Sequence, residues 1–147
     1  WCDKIAQAYG TVNPVAGPYF NFSLPEATGV VGVVAPETPS LLGLISHLAP
    51  VLVGGNTALV LASESQPLAA ITLSEVLATS DVPGGVVNIL TGDKTELLPW
   101  LMGHMDVNAV DITGAPEDLD RSVATAAAHN VKRVLEYDHE DYFAASA

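Results

Sequence analysis

The stretch GGNTALVLASESQP, residues 54–67, decides the fold. A Gly-Gly-Asn turn leads into a short apolar run, 57–61, and Pro67 follows after a polar turn, 62–66. Proline is common in the first turn of a helix, because its fixed φ suits the helix and its missing N–H has no helical partner there. The stretch therefore predicts a buried strand, a turn and a helix, which is the unit from which α/β proteins build ligand sites.

The same unit recurs on both sides of this stretch. Val- and Gly-rich apolar runs bounded by turn residues are typical of strands that are buried on both faces. Further strands are predicted at 28–36, 86–90, 107–113 and 131–137, and helices at 39–55, 66–85, 94–103 and 115–130. This alternation predicts an α/β fold with a doubly wound, parallel, five-stranded sheet and helices on both faces. We expect its buried centre to contain Val30, Val31, Val33, Val34, Leu59, Leu61, Val87, Ile89, Val110 and Ile112.

Residues 1–27 do not follow this pattern, so we divide the chain into 1–27 and an α/β domain, 28–147. Residues 1–9 resemble the end of a helix, and two short extended pieces follow around Gly17 and Pro18. They predict a hairpin-like, aromatic arm outside the core, and an uncovered edge of this kind invites pairing with another chain or domain. We expect a homo-oligomer or docking to other domains of a longer protein, of which the chain is a segment.

The charge of the chain restricts its partners. Seventeen acidic residues stand against five basic ones, which leaves a net charge of −12. Residues 5–93 contain no Lys or Arg. Nucleic acid and anionic membranes need clustered basic residues, so neither is an expected partner. No apolar run approaches membrane-spanning length, no signal peptide is evident, and the single Cys2 fits a reducing cytoplasm, where we expect the protein.

The ends of the predicted strands hold the candidate ligand-binding residues. None of them matches the three spaced glycines of a dinucleotide fingerprint, and TGDKTELL, 91–98, has only Gly92. Glu64 could accept hydrogen bonds from ribose hydroxyls or could serve as an acidic partner of a helix N-terminus. Thr113 and Gly114 could contact phosphate or simply form the turn. The histidines are scattered, so we expect no metal site.

Three stretches in order, LAPVLVGGNT (48–57), VPGGVVNILTGD (82–93) and DVNAVDITG (106–114), resemble the NAD(P)-binding, Rossmann-like domain of the aldehyde dehydrogenase superfamily. The resemblance extends from the first helix end to the last strand and implies strand order 3-2-1-4-5. It also implies oxidation of aldehydes to acids with NAD or NADP, dimers or tetramers, and a nucleophilic cysteine in a separate domain further along. Cys2 is not in the position of that nucleophile.

Several residues that the family uses are replaced in this chain. Thr38 stands where the family has the Asn of Trp-Asn-Phe-Pro, and Leu61 stands where it has the ribose-binding Lys. Ala115 replaces a Ser near the pyrophosphate, and Glu136 falls one place short of the catalytic glutamate. The resemblance therefore implies no catalytic residue in this chain. The remaining candidate cofactor-binding residues are Thr38, Ser63, Glu64, Gly92, Thr113 and Gly114.

Two functions are compatible with this pattern. The first is a degenerate, non-catalytic scaffold domain of a larger aldehyde dehydrogenase-like protein, similar to the second half of the long two-part aldehyde dehydrogenases. It predicts weak or lost binding of NAD or NADP. The alternative is the NAD(P)-binding portion of an active aldehyde dehydrogenase.

Overall fold

A computed structural model describes residues 10–116 and 120–137. In these ranges the chain forms a two-stranded arm and a five-stranded sheet that is covered by helices. The elements in chain order are β1 (Thr11–Val12), β2 (Phe22–Ser23), β3 (Val30–Val34), α1 (Ser40–Val53), β4 (Thr57–Leu61), α2 (Leu68–Ala78), β5 (Val87–Leu90), α3 (Lys94–Gly103), β6 (Val107–Asp111), α4 (Asp120–Asn130) and β7 (Arg133–Leu135).

The five-stranded sheet has the order β5-β4-β3-β6-β7, and all of its strand pairs are parallel. This confirms the predicted fold and the predicted strand order. The chain first winds outward from β3 to β5 and then crosses back to β6 on the other side of β3. The carboxyl ends of β3 and β6 therefore flank the topological switch point, where ligands bind in open α/β sheets.

Apolar residues cover both faces of the sheet, in one cluster beneath α1 and α2 and another beneath α3 and α4. Six of the residues predicted for the buried centre are buried: Val31, Val33, Val34, Leu61, Val110 and Ile112. The other four, Val30, Leu59, Val87 and Ile89, are half-buried and pack against these clusters. Val30 and Leu59 line an apolar cavity of about 310 Å³ beside α3.

One helix keeps close to its predicted bounds and another ends early. The helix predicted at 39–55 spans Ser40–Val53 and buries Leu44, His47 and Leu48, while Ile45 is exposed. The helix predicted over 66–85 begins at Leu68 and already ends at Ala78. After Ala78 the helical bonding changes, because the N–H of Ser80 donates three residues back, to the carbonyl of Leu77.

The arm is a small antiparallel sheet in which Thr11 pairs with Ser23 and Val12 with Phe22. This confirms the predicted hairpin-like arm outside the main sheet. Its apolar side chains are exposed, and the Phe20 and Phe22 rings lie 5.3 Å apart between centroids. The helix end predicted at 1–9 lies outside the described residues. In the described ranges, no helix is long and apolar enough to cross a membrane.

Asn56 joins three segments at the amino ends of β3 and β4. Its Oδ1 accepts hydrogen bonds from the N–H groups of Thr28, at 2.6 Å, and Gly29, at 3.0 Å. Its Nδ2 donates to the carbonyl of Val51 in the last turn of α1, at 3.1 Å. The side chain thereby fixes the start of the central strand to the end of the preceding helix.

We expect Asn56→Ala to lower the free energy of unfolding by roughly 1–3 kcal/mol, because it leaves the N–H groups of Thr28 and Gly29 without their acceptor. Urea denaturation of the chain measures this change. Asn88→Ala is the matched control, because Asn88 is exposed and donates to Gly85 O within its own turn. Equal losses for the two variants would contradict the role of Asn56.

Candidate functional site

The candidate site lies at the switch point, where four segments meet. The segment after β3 contains Glu37, the turn after β4 spans 62–66, the turn after β6 contains Gly114, and α3 begins with Lys94. Because parallel strands end at the same edge of the sheet, turns that are distant in sequence come together here.

Lys94 is the central group of the site. Its side chain is 2% exposed, and its Nζ donates to the carbonyls of Ala35, at 2.7 Å, and Gly114, at 3.1 Å. It also forms an ion pair with the Glu37 carboxylate. Although residues 5–93 contain no Lys or Arg, the crossover from β5 brings Lys94, at the start of α3, over the ends of β3 and β6.

Glu37 collects hydrogen bonds from the turn after β4. Its Oε2 accepts from the hydroxyls of Ser63, at 2.9 Å, and Ser65, at 2.8 Å, and from the N–H of Ser65, at 3.0 Å. Its Oε1 accepts from the N–H of Glu64, at 3.1 Å, and from Lys94. Partial burial alone would raise the pKa of Glu37, but the bonds from Lys94, Ser65 and Glu64 outweigh it and hold that pKa well below its usual value.

The first turn of α3 is also occupied by acidic side chains of the chain itself. The carboxylate of Glu64 accepts from the N–H of Lys94, and Asp93 accepts from the N–H groups of Thr95, at 2.7 Å, and Glu96, at 3.4 Å. The bonds from Thr95, first from its hydroxyl and then from its N–H, lower the pKa of Asp93. Glu64 therefore accepts from a helix N-terminus, as one of its two sequence interpretations expects. The helix is α3, and not α2, which follows Glu64 in the chain.

Gly114 closes the gap between the ends of β3 and β6. Its N–H donates to Val34 O at 3.0 Å, and its carbonyl accepts from Lys94. A Cβ at this position would lie 2.2 Å from the carbonyl oxygen of Ala35, so only glycine allows the two backbones to approach this closely. The ends of β3 and β6 are therefore joined at the switch point by backbone contact and by the Lys94 side chain.

We expect Gly114→Ala to lower the free energy of unfolding by roughly 1–3 kcal/mol, because its methyl group would overlap the backbone of Ala35. Thermal and urea unfolding measure the loss. Gly84→Ala is the control, since a Cβ there has no neighbour within 4 Å. A Gly114 variant as stable as the Gly84 variant would show that the two backbones are not in contact.

A buried hydrogen-bonded pair of side chains lies beside the crevice. His47 Nδ1 of α1 and Asp111 Oδ2 at the end of β6 are 2.6 Å apart, and their side chains are 2% and 3% exposed. Asp111 Oδ1 also accepts from the N–H and the hydroxyl of Thr113, at 3.0 and 2.6 Å. Burial raises the pKa of Asp111, but the bonds from His47 and Thr113 outweigh burial and lower that pKa below its usual value.

The lowered pKa predicts how stability depends on pH. A carboxyl group with a depressed folded-state pKa stabilises the fold above its unfolded-state pKa, and this contribution is lost as the pH falls through the folded-state value. We expect Asp111→Asn to lower the free energy of unfolding at pH 7 by roughly 1–3 kcal/mol. The variant should also lose less stability than the native chain on acidification below about pH 4. Denaturation at several pH values tests this, with Asp81→Asn in an exposed loop as the control. Parallel pH profiles of the native chain and Asp111→Asn would contradict it.

The structure gathers half of the predicted cofactor-binding residues. Ser63, Glu64 and Gly114 surround Glu37 and Lys94. Thr38 is exposed beside them, Gly92 lies in the loop before α3, and Thr113 bonds to Asp111. Their assignment to a cofactor remains a prediction. Among the described residues, no group of three or more His, Cys, Asp or Glu could hold a metal ion.

Four residues of the site were missed as functional residues in the sequence: Glu37, His47, Lys94 and Asp111. A signal for Lys94 existed, since a lysine in the first turn of a helix opposes the helix dipole and so indicates that its charge is used elsewhere. Asp111 likewise interrupts an apolar strand. No comparable signal pairs His47 with Asp111 or Glu37 with the turn after β4, because these contacts join segments that are 64 and 26–28 residues apart.

A parallel sheet of this order, with polar turns at its switch point, defines a dinucleotide-binding type of α/β domain. The sequence profile of the aldehyde dehydrogenase family matches residues 1–137, and the chain belongs to this family. It is 34% identical over 134 residues to aldehyde dehydrogenase, cytosolic 1, of Elephantulus edwardii, covering 91% of this chain and 26% of the relative. Retinal dehydrogenase 2 of Mus musculus is also 34% identical over 134 residues, which cover 91% of this chain and 25% of that relative.

Solved structures of the family have the same fold. PnpE from Pseudomonas sp. WBC-3 superposes with a TM-score of 0.77 at 27% identity, covering 90% of this chain and 27% of that one. A betaine aldehyde dehydrogenase variant from Staphylococcus aureus, in complex with NAD+, superposes with a TM-score of 0.79 at 26% identity. The match covers 90% of this chain and 27% of that one. The chain thus spans about a quarter of the length of its relatives.

Proposed function

We propose that the chain is a non-catalytic scaffold domain of a larger aldehyde dehydrogenase-like protein, in which the cofactor crevice is closed. The observation that carries this proposal is the ion pair of Lys94 and Glu37 at the switch point. A cofactor there would have to compete with contacts that the domain already makes with itself.

The electrostatics of the crevice support this proposal. A pyrophosphate carries negative charge and needs cations or backbone N–H donors. The buried cation, Lys94, is paired with a carboxylate, and Glu37 also accepts from the N–H groups of Glu64 and Ser65. The N–H groups in the first turn of α3 donate to the carboxylates of Glu64 and Asp93. A diphosphate would therefore meet carboxylates where it requires donors, and the groups present do not fit it.

The replaced family positions support the same proposal. Leu61 stands where the family has its ribose-binding Lys, and its side chain is 1% exposed within the apolar cluster beneath α3 and α4. Ala115 packs against the same cluster, and Glu136 is exposed after β7. Each lost polar contact typically costs about 1–3 kcal/mol, so two of them move a micromolar site to roughly millimolar.

The alternative is that the chain is the NAD(P)-binding portion of an active aldehyde dehydrogenase. The family match over residues 1–137 and the fold shared with an NAD+ complex favour it. In that case the nucleophilic cysteine would come from a further domain of the longer protein, since Cys2 is the only cysteine here.

Calorimetric titration of NAD and NADP into the chain separates the two functions. We expect a dissociation constant of about 1 mM or weaker for both cofactors. The betaine aldehyde dehydrogenase from Staphylococcus aureus, which has been solved with NAD+, is the positive control. A dissociation constant near micromolar for the unaltered chain would reject the scaffold proposal.

The scaffold proposal includes association through the arm, in a cytoplasmic protein. Tyr19, Phe20, Phe22 and Leu24 are all more than half exposed, and apolar side chains at the edge of a short sheet are suited to a second copy or a neighbouring domain. One relative is named as cytosolic, which agrees with the proposed location.

We expect the chain to dimerise, and a Phe20→Ser, Phe22→Ser double variant to weaken the dimer at least tenfold, because it removes the exposed aromatic pair. Analytical ultracentrifugation over a range of concentrations measures this. Leu68→Ser is the control, since Leu68 is 78% exposed on α2. A native chain that remains monomeric at high concentration would count against homo-oligomers, and an equal effect of Leu68→Ser would count against the arm.

A further inference from the structure

The hydrogen-bond donors around Glu37 form a compact anion-binding group. Five donors converge on one carboxylate: the hydroxyls of Ser63 and Ser65, the N–H groups of Glu64 and Ser65, and the ammonium of Lys94. Consecutive N–H groups and hydroxyls in a turn before a helix, together with a lysine, are groups with which proteins hold phosphate and carboxylate ligands. Here the anion that they hold is a side chain of the protein.

Two of the donor residues, Lys94 and Ser63, also have contacts with groups other than the Glu37 carboxylate. Lys94 is buried and bonded to the carbonyls of Ala35 and Gly114, which belong to the ends of β3 and β6. Ser63 is 3% exposed, and its hydroxyl accepts from the N–H of Gln66 at 3.1 Å. Lys94 and Ser63 are therefore held by the framework of the fold as well as by the carboxylate.

Glu37, in contrast, reaches the donors from the side of the solvent. Its side chain is 41% exposed, whereas that of Lys94 is 2% exposed. If the carboxylate were removed, an ion from solution could reach the same five donors by the path that Glu37 leaves open.

We propose that the Glu37 carboxylate is the internal ligand of an oxyanion site formed by Ser63, the Glu64 N–H, Ser65 and Lys94, and that it blocks this site against phosphate from solution. This inference deepens the proposed function, because it names the group that keeps the crevice closed. The chain has kept the donors of an anion site and supplies the anion itself.

The test is phosphate binding by the chain and by Glu37→Ala. Inorganic phosphate is titrated at constant ionic strength, with potassium chloride as the blank and acetate as a carboxylate probe, and binding is followed by calorimetry and by the shift of Tm. We expect Glu37→Ala to bind phosphate at least tenfold more tightly than the native chain and its Tm to rise with phosphate, because a ligand that binds only the folded state stabilises it. Acetate should raise the Tm of the variant more weakly.

Two further variants assign the binding to the site. Ser65→Ala in the Glu37→Ala background removes a hydroxyl donor and should weaken phosphate binding several-fold, and Lys94→Met in that background should abolish it. Glu75→Ala is the matched control, because Glu75 is exposed on α2 away from the crevice, and it should leave the native response unchanged. Phosphate binding that survives Lys94→Met would place the ion elsewhere and overturn the proposal.

The remaining outcomes also decide the question. If Glu37→Ala is unfolded in chloride but folds in phosphate, the rescue supports an oxyanion site. Failure to fold in either salt, or the same phosphate affinity in the native chain and the variant, overturns the proposal. The NAD titration is independent of these results, since tight NAD binding by the native chain would reject the scaffold function whatever the variant does with phosphate.

Discussion

The buried ammonium of Lys94 is the interaction on which the architecture of the candidate site depends. A charged group can be buried only when hydrogen bonds and an opposite charge replace the water that it loses. Lys94 obtains these from Ala35 O, Gly114 O and Glu37, which belong to three different segments. The requirement to satisfy one ammonium therefore brings together the ends of β3 and β6 and the start of α3.

The other close contacts at this edge of the sheet follow from that arrangement. Gly114 must lack a side chain because its backbone lies against Ala35, and Glu37 must be ionised because it is the counter-charge of Lys94. The ionised Glu37 in turn organises the N–H groups and hydroxyls of 63–65. Next to the crevice, the buried hydrogen bond between His47 and Asp111 joins α1 to the end of β6. A site that binds ligands needs donors and acceptors that face solvent, and here many of them face one another.

The distribution of charge has the same explanation. The chain has only five Lys and Arg residues, and among the residues whose burial the structure describes, Lys94 and Lys132 are buried. The Nζ of Lys132 donates to the carbonyl of Val107 at 2.7 Å and to that of His104, so it connects the segment before β7 with the start of β6. Burial lowers the pKa of Lys132, while the charge of Asp106 acts in the opposite direction. Scarce cations thus serve internal contacts in this domain, although the family fold that surrounds them is the one found in relatives solved with NAD+.

The sequence alone determined the fold class and the strand order, the latter through the family resemblance. It could do so because apolar strands such as Val30–Val34 and Thr57–Leu61, separated by helical stretches with turn residues between them, are local patterns. It also identified Ser63, Glu64 and Gly114 as residues near a site, since they follow strands directly. Only the tertiary structure decided what these residues contact. The Glu37–Lys94 and His47–Asp111 pairs join positions 57 and 64 residues apart, and the crossover of the chain, which no local pattern encodes, brings their side chains together.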